Sequence, residues 1–95
     1  MVVGVATIEL HLHGVNSLKE KRGIVRRVVE RVRNRFPVSA AEVDHMDLHR
    51  RATIGLAVVS NDARLADSIL NKVLDFVEGL HLAEVVGADL EVLHL

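Results

Sequence analysis

Apolar and polar positions alternate over the first segment of the chain. Between Val2 and His13, one side of an extended chain is apolar, at Ala6, Ile8, Leu10 and Leu12. The other side carries mainly polar residues, and this period of two is typical of a β-strand with one covered face. The pattern stops at "GVN" (residues 14–16), where glycine and asparagine favour a turn. The first predicted element is therefore a strand.

The apolar spacing changes to a helical period after this turn. Ser17 and Glu20 have the spacing of a capping box, so a helix is predicted to begin at Ser17. Pro37 is the only proline and ends this helix after Phe36. On a helical projection the apolar residues fall within an arc of about 100°, at Leu18, Val25, Val28, Val29, Val32 and Phe36.

The remaining chain contains two further strands, a helix and a last strand. Residues 38–44 and 51–59 are apolar or β-branched runs on either side of the polar segment "HMDLHR", and they predict an antiparallel pair. "SND" at residues 60–62 begins a second helix, which Gly79 is expected to end. Residues 84–95 predict a strand whose covered face consists of Val86, Ala88, Leu90 and Val92.

This order of elements, β-α-β-β-α-β, defines the predicted fold. Two β-α-β units of this kind close by right-handed crossovers into a four-stranded antiparallel sheet with both helices on one face. We therefore predict an α+β fold, the ferredoxin-like plait, with residues 1–95 as a single domain. The alternative is an open three-stranded arrangement whose fourth strand is exchanged with a partner chain.

Composition limits the protein class. A 95-residue chain with 49% hydrophobic residues is one globular domain and not a disordered segment. The chain has no cysteine, so disulfides and thiolate chemistry are excluded. It begins "MVVGVATIEL" without a basic stretch before the apolar run, so neither a signal peptide nor membrane attachment is expected. A cytoplasmic location follows as the expectation.

Positive charge is concentrated on the first predicted helix. Residues 17–35 hold eight of the twelve basic residues and two acids, a net charge of +6, whereas the rest of the chain carries −7. A concentrated basic surface suits a phosphate backbone. The candidate nucleic-acid-binding residues are Lys19, Lys21, Arg22, Arg26 and Arg33. The alternative is a solvated helix face on which arginines pair with Glu30 or with acids of a neighbouring chain.

The predicted open face of the sheet argues against binding of single-stranded RNA. Aromatic residues make up 2% of the chain, and both phenylalanines belong to predicted core stripes. Base stacking on an aromatic platform is therefore not expected. If the protein binds RNA, the sequence favours a duplex or folded RNA that contacts the basic helix. The predicted open-face residues are Thr7, Glu9, His11, Thr53, Gly55, Ala57, Asp89 and Glu91.

Three short motifs give the chain a family resemblance. "SLKEKR" at the start of the first helix, "DH-x-DL" after the second strand and "GLAVVS" in the third resemble the YlxP-like family, a bacterial domain-of-unknown-function family. The resemblance implies a small cytoplasmic protein of ferredoxin-like fold. Because family members are often encoded near translation factors, it also suggests a ribosome or RNA association. It assigns no catalytic residue, and this chain has His49 where the family commonly has an aromatic residue.

Metal and enzyme chemistry are the weaker alternatives. The chemically competent metal ligands are His11, His13, Asp44, His45, Asp47 and His49. They lack the cysteines or helical histidine pair of common zinc sites, so no metal or other cofactor is expected. The loop "HGVNS", with Asn16 and Lys19, is loosely like the anion-binding loop of acylphosphatases. No nucleophile has an identifiable base partner, so we expect a non-enzymatic binding protein and keep an anion- or metal-dependent enzyme as an alternative.

Apolar residues without a predicted covering suggest self-association. The second helix has an apolar arc of roughly 180°, wider than the usual stripe of a surface helix. Val3, Val5, Leu93 and Leu95 fall on the open side of the predicted sheet. We therefore expect a homodimer. A self-associating protein-interaction scaffold is the alternative to RNA binding.

Overall fold

The computed structural model describes residues 1–95 and has the predicted order of elements. The strands are β1 (Val2–His11), β2 (Ser39–Asp44), β3 (Arg51–Ser60) and β4 (Glu84–His94). The helices are α1 (Leu18–Arg35), between β1 and β2, and α2 (Ala63–Leu80), between β3 and β4. The β-α-β-β-α-β order predicted from the spacing of apolar residues is confirmed.

The four strands form one antiparallel sheet in the order β2-β3-β1-β4. Each helix connects two strands that lie on either side of a third, so α1 passes over β3 and α2 passes over β1. This topology is the ferredoxin-like plait. Strand β4 pairs with β1 of its own chain along its length, so it is not exchanged with a partner.

One side of the sheet packs on both helices and the other side is open. Burial alternates residue by residue along β1, with Ala6, Ile8 and Leu10 on the buried side. These side chains join a single core of 19 apolar residues, to which α1 contributes Val25 and Val32 and α2 contributes residues such as Leu70. The one-sided alternation predicted for the first strand is confirmed, and Leu12, just beyond its end, is also buried.

The predicted covered face of the last strand is wrong at Val86. The pairing register shifts where Glu9 pairs with Gly87 and Leu10 with Val85, which leaves Val86 without a partner. Such a β-bulge reverses the inside-outside alternation on one side of it. Val85 therefore packs against the core and Val86 is 58% exposed, while Leu90 and Val92 face the core as predicted. Ala88, which was also predicted to be covered, is exposed although it pairs with the buried Ile8.

The helix starts are confirmed and one helix end differs from the prediction. The N–H of Glu20 donates to Ser17 Oγ at 3.1 Å, which is the first bond of a capping box, while the Glu20 carboxylate accepts at 3.3 Å from the N–H of Asn16, one residue before the cap. Helix α2 begins at the Asp62 cap and continues through Gly79. His81, with φ of 53°, supplies the left-handed cap residue that was expected of Gly79.

Candidate nucleic-acid interface

The outward side of α1 carries seven exposed basic side chains. They are distributed around the part of the helix that does not touch the sheet or α2. Over its 18 residues, this helix has only two acids, Glu20 and Glu30. The exposed bases are Lys19, Arg22, Arg26, Arg27, Arg31, Arg33 and Arg35.

None of these seven bases forms an ion pair. The ion pair of the structure joins Lys21 to Glu42, and His13 Nε2 lies 3.5 Å from Glu84 Oε1. Glu30, the expected partner of the arginines in the solvated-face alternative, contacts none of them within ion-pair distance. The Glu20 carboxylate accepts from the Asn16 N–H just before the helix start. The positive charge of these seven side chains therefore has no ion-pair partner within the chain.

Arg33 is held against the edge of the sheet. Its Nε and Nη2 atoms donate to the carbonyl oxygen of Ala40 at 3.0 and 2.6 Å. Ala40 belongs to β2, an edge strand whose outward carbonyls would otherwise be free to pair with another chain. Arg33 thus contributes positive charge to the flank of α1, but two of its donors already have a partner.

Arg35 is held by aromatic rings at the other end of α1. Its guanidinium carbon lies 5.9 Å from the ring centre of Phe36 and 5.2 Å from that of Phe76, within cation–π range. The two rings meet edge to face at 5.4 Å. With Arg33 and Arg35 engaged, five bases have no hydrogen bond or ion pair to the chain. We call them the α1 basic surface: Lys19, Arg22, Arg26, Arg27 and Arg31.

Lys21 does not belong to this surface, which corrects its inclusion among the candidate binding residues. Its side chain is 0% exposed, its Nζ lies 2.7 Å from Glu42 Oε2, and it donates to the carbonyl oxygen of His45 at 2.7 Å. On the helix, Lys21 lies in the same row as Val25 and Val28, which are buried. Its i, i+4, i+7 relation to these valines was the signal in the sequence that it faces the core.

The buried lysine fixes the turn between β2 and β3. Its bond to His45 holds one end of the turn, and His45 adopts a left-handed conformation with φ of 61°. At the other end, Arg50 Nε donates to the carbonyl oxygen of Val15 at 3.1 Å. Asp44 Oδ1 accepts from the N–H of His45, so this aspartate stabilises the turn. The turn is thereby attached both to α1 and to the loop before it.

The residues considered as metal ligands are not brought together. No group of three or more histidine or acidic side chains has metal-binding geometry. The rings of His11 and His13 lie 4.3 Å apart, and His13 approaches Glu84 at 3.5 Å. In the "HGVNS" loop, Ser17 Oγ accepts the capping bond and Asn16 Oδ1 faces Arg50 at 3.5 Å. These polar groups thus take part in local structure.

The open face of the sheet is polar and acidic near its middle. Thr53 Oγ1 donates to Glu9 Oε2 at 2.7 Å, and Asp89 lies on the same face beside Thr7. Neither phenylalanine lies on this face, since both are packed against the core on the side of the helices. The face therefore offers no aromatic ring for base stacking.

The fold and the basic helix define a small ferredoxin-like plait domain with one strongly cationic outer helix. The chain belongs to the family described as "Protein of unknown function (DUF503)", whose model matches residues 3–90. It is 35% identical over 77 residues to the uncharacterized protein YlxP of Bacillus subtilis (strain 168), covering 81% of this chain and 84% of the relative. The YlxP-like resemblance is therefore confirmed.

A likeness among solved structures concerns the chain path alone. The structure described as "Structure of the REP associates tyrosine transposase bound to a REP hairpin" is similar with a TM-score of 0.44 and 13% sequence identity. The similarity covers 98% of this chain, which spans 56% of the length of that chain. At this level it carries no argument about function.

Neither helix is both long and apolar enough to cross a membrane.

We expect chelation to leave the stability of the protein unchanged. The core consists of apolar side chains and contains no histidine. Thermal unfolding with and without an excess of EDTA should give the same Tm. A fall of several degrees that added Zn²⁺ reverses would contradict this, and replacement of His45 and His49 would then locate the ligands.

Loss of Lys21 should destabilise the protein mainly by leaving Glu42 without its partner. Lys21→Met keeps most of the side-chain volume, and breaking such a pair typically costs about 3–5 kcal/mol. Lys21→Met combined with Glu42→Gln removes both charges and should recover most of that loss. Urea unfolding of the two variants measures the difference. Equal destabilisation would show that the ion pair is not the cause.

Proposed function

We propose that this chain is a non-enzymatic binding protein of the cytoplasm that docks α1 on the phosphate backbone of structured RNA. The observation that supports this proposal best is the α1 basic surface, five exposed bases that have no partner within the chain. Each cation that neutralises a phosphate releases condensed counterions, so such a surface gains affinity for a polyanion at low and moderate salt. A net charge of −1 does not oppose this, because the negative charge lies elsewhere on the molecule.

The dimensions of the surface suit a nucleic-acid backbone. Lys19 and Arg31 are twelve residues apart, which is about 18 Å along a helix. This length covers several consecutive phosphates of one strand, so contacts to three or four of them are sterically reasonable. Arginine is well suited to these contacts because its planar guanidinium can donate two hydrogen bonds to one phosphate.

The remaining surface determines the orientation of the bound RNA. The sheet face carries Glu9, Asp89 and Glu91 and would repel a polyanion, so the helix side turns towards the RNA. Contacts to phosphate position a protein but do not read bases. We therefore propose binding to duplex or folded RNA with little sequence preference. The family resemblance makes ribosomal RNA the first candidate to test.

Charge reversal on α1 should weaken RNA binding in a way that salt dependence can identify. With three to four phosphate contacts, the slope of log affinity against log salt should be roughly −3 to −4, a loss on the order of 100-fold between 50 and 200 mM salt. Arg22→Glu with Arg26→Glu leaves the buried valines of α1 intact. It should lower the magnitude of the slope by about two or abolish binding. Fluorescence anisotropy of a labelled RNA duplex gives both quantities.

A second double variant controls for total charge. Arg51→Glu with Arg64→Glu changes the net charge equally, at exposed positions on β3 and α2. This control should retain at least most of the wild-type slope, and it should still sediment with ribosomes at 50 mM salt if ribosomal RNA is the partner. Equal binding by both double variants would mean that α1 is only a solvated face, and the proposal would fail.

A further inference from the structure

Seven apolar residues lie together at one end of the open sheet face. We call them the sheet patch. Val59 is 68% exposed and Leu93 is 36% exposed, while Val3 and Val5 are half-buried by their neighbours on the sheet. No helix covers this face. The sheet patch comprises Met1, Val3, Val5, Ala57, Val59, Leu93 and Leu95.

The strand register makes this patch continuous. Val3 pairs with Val59 on one side and with Leu93 on the other, so the three side chains form one row across β3, β1 and β4. Val5 and Ala57 form part of the next row. The patch includes no charged side chain. Its rows are two residues apart along the strands, which is about 7 Å. Together these rows cover about half of the open face.

The other half of the same face is mainly acidic, with Arg51 beside His11 at its far end. Glu91 borders the patch beside Val5, and Asp89 and Glu9 lie further along the face. This charge argues against an RNA on the patch, because a polyanion there would meet carboxylates. An apolar surface with acids at one side only is self-complementary if two copies meet with their acidic halves pointing in opposite directions.

A twofold axis can place the two acidic halves in opposite directions. If this axis lies between the two sheets and runs perpendicular to the strands at the row of Val3, β1 stacks on β1 of the second copy with its direction reversed. The sheet patches then face each other. Asp89 lies four residues from that row, so the two Asp89 side chains are separated by about 27 Å along the strands. The other twofold, parallel to the strands, would bring the acidic halves together, and their repulsion disfavours it.

We propose that the chain forms a homodimer by face-to-face packing of the two sheet patches with their strands antiparallel. The overlap of half of each sheet belongs to the small interfaces, below about 1,200 Å² of total buried surface, a size typical of weak, reversible association. In this dimer the two α1 helices lie on opposite outer sides. Both α1 basic surfaces remain exposed in the dimer. Dimerisation therefore does not block the surface that is proposed to bind RNA.

Sedimentation equilibrium of the untagged protein tests the dimer. At tens of micromolar, the wild-type mass should rise from 10.5 kDa towards twice that value. Val59→Glu introduces an unpaired carboxylate on both sides of the interface, so it should weaken association by at least about 100-fold. Because Val59 is exposed in the single chain, the fold should survive, which circular dichroism checks.

A matched control and a second variant keep the outcome unambiguous. Leu65→Glu makes the same kind of change on α2, at a residue that is 51% exposed, and should leave association unchanged. Leu93→Thr, a milder change within the patch, should weaken it. A wild-type monomer at 100 µM would overturn the proposal. So would equal dissociation of the Val59→Glu and Leu65→Glu proteins, since the patch would then have no special role.

Crosslinking tests the antiparallel orientation, since the chain has no native cysteine. With a short bis-maleimide reagent, Val59→Cys should give a covalent dimer because its two copies lie near the axis. Asp89→Cys should stay monomeric. Efficient crosslinking at Asp89 but not at Val59 would place the acidic halves together and overturn the proposed orientation.

Discussion

Both helices of this protein pack on the same side of a single four-stranded sheet, and most other features depend on that constraint. A chain of 95 residues that forms one sheet and two helices has enough apolar side chains for one core, and the inward residues of β1 and β3 supply its centre. The opposite face is consequently open. The helices, in turn, each have one side on the core and one side exposed, so charged residues accumulate on the outer side of α1 and the remaining acids lie elsewhere.

The buried ion pair between Lys21 and Glu42 connects this architecture to the family motif. Three residues of "SLKEKR" have structural roles: Ser17 and Glu20 cap α1, and Lys21 reaches β2 and the following turn. Burying a lysine is costly unless a carboxylate and hydrogen-bond acceptors surround it. Here the charged partner and one carbonyl are both supplied by the β2 strand and its turn, so the helix start and the turn take their positions together.

The separation of charge leaves two surfaces with different properties. The exposed bases of α1 have no acids to pair with, whereas the open sheet face combines an apolar half and an acidic half. A polyanion would therefore bind on the side of α1, where the charge is positive. A second copy of the chain would bind on the opposite side, at the apolar half of the sheet. Arg33 also donates hydrogen bonds to the carbonyl oxygen of Ala40 at one edge of the sheet. Because this acceptor is already satisfied, pairing of another strand with this edge is hindered.

Local interactions explain why the element order, the helix starts and the concentration of charge could be predicted from the sequence. A capping box links residues three apart and an amphipathic stripe links residues three and four apart, so both are visible in a short segment. Other features needed the tertiary structure. Lys21 meets His45 across 24 residues, and a bulge opposite Glu9 turns Val86 outward. The row of Val3, Val59 and Leu93 exists only through strand pairing. The sequence by itself determined which segments become helices and strands, while register and packing between distant segments decided which side chains meet, because those contacts depend on a geometry that no local pattern encodes.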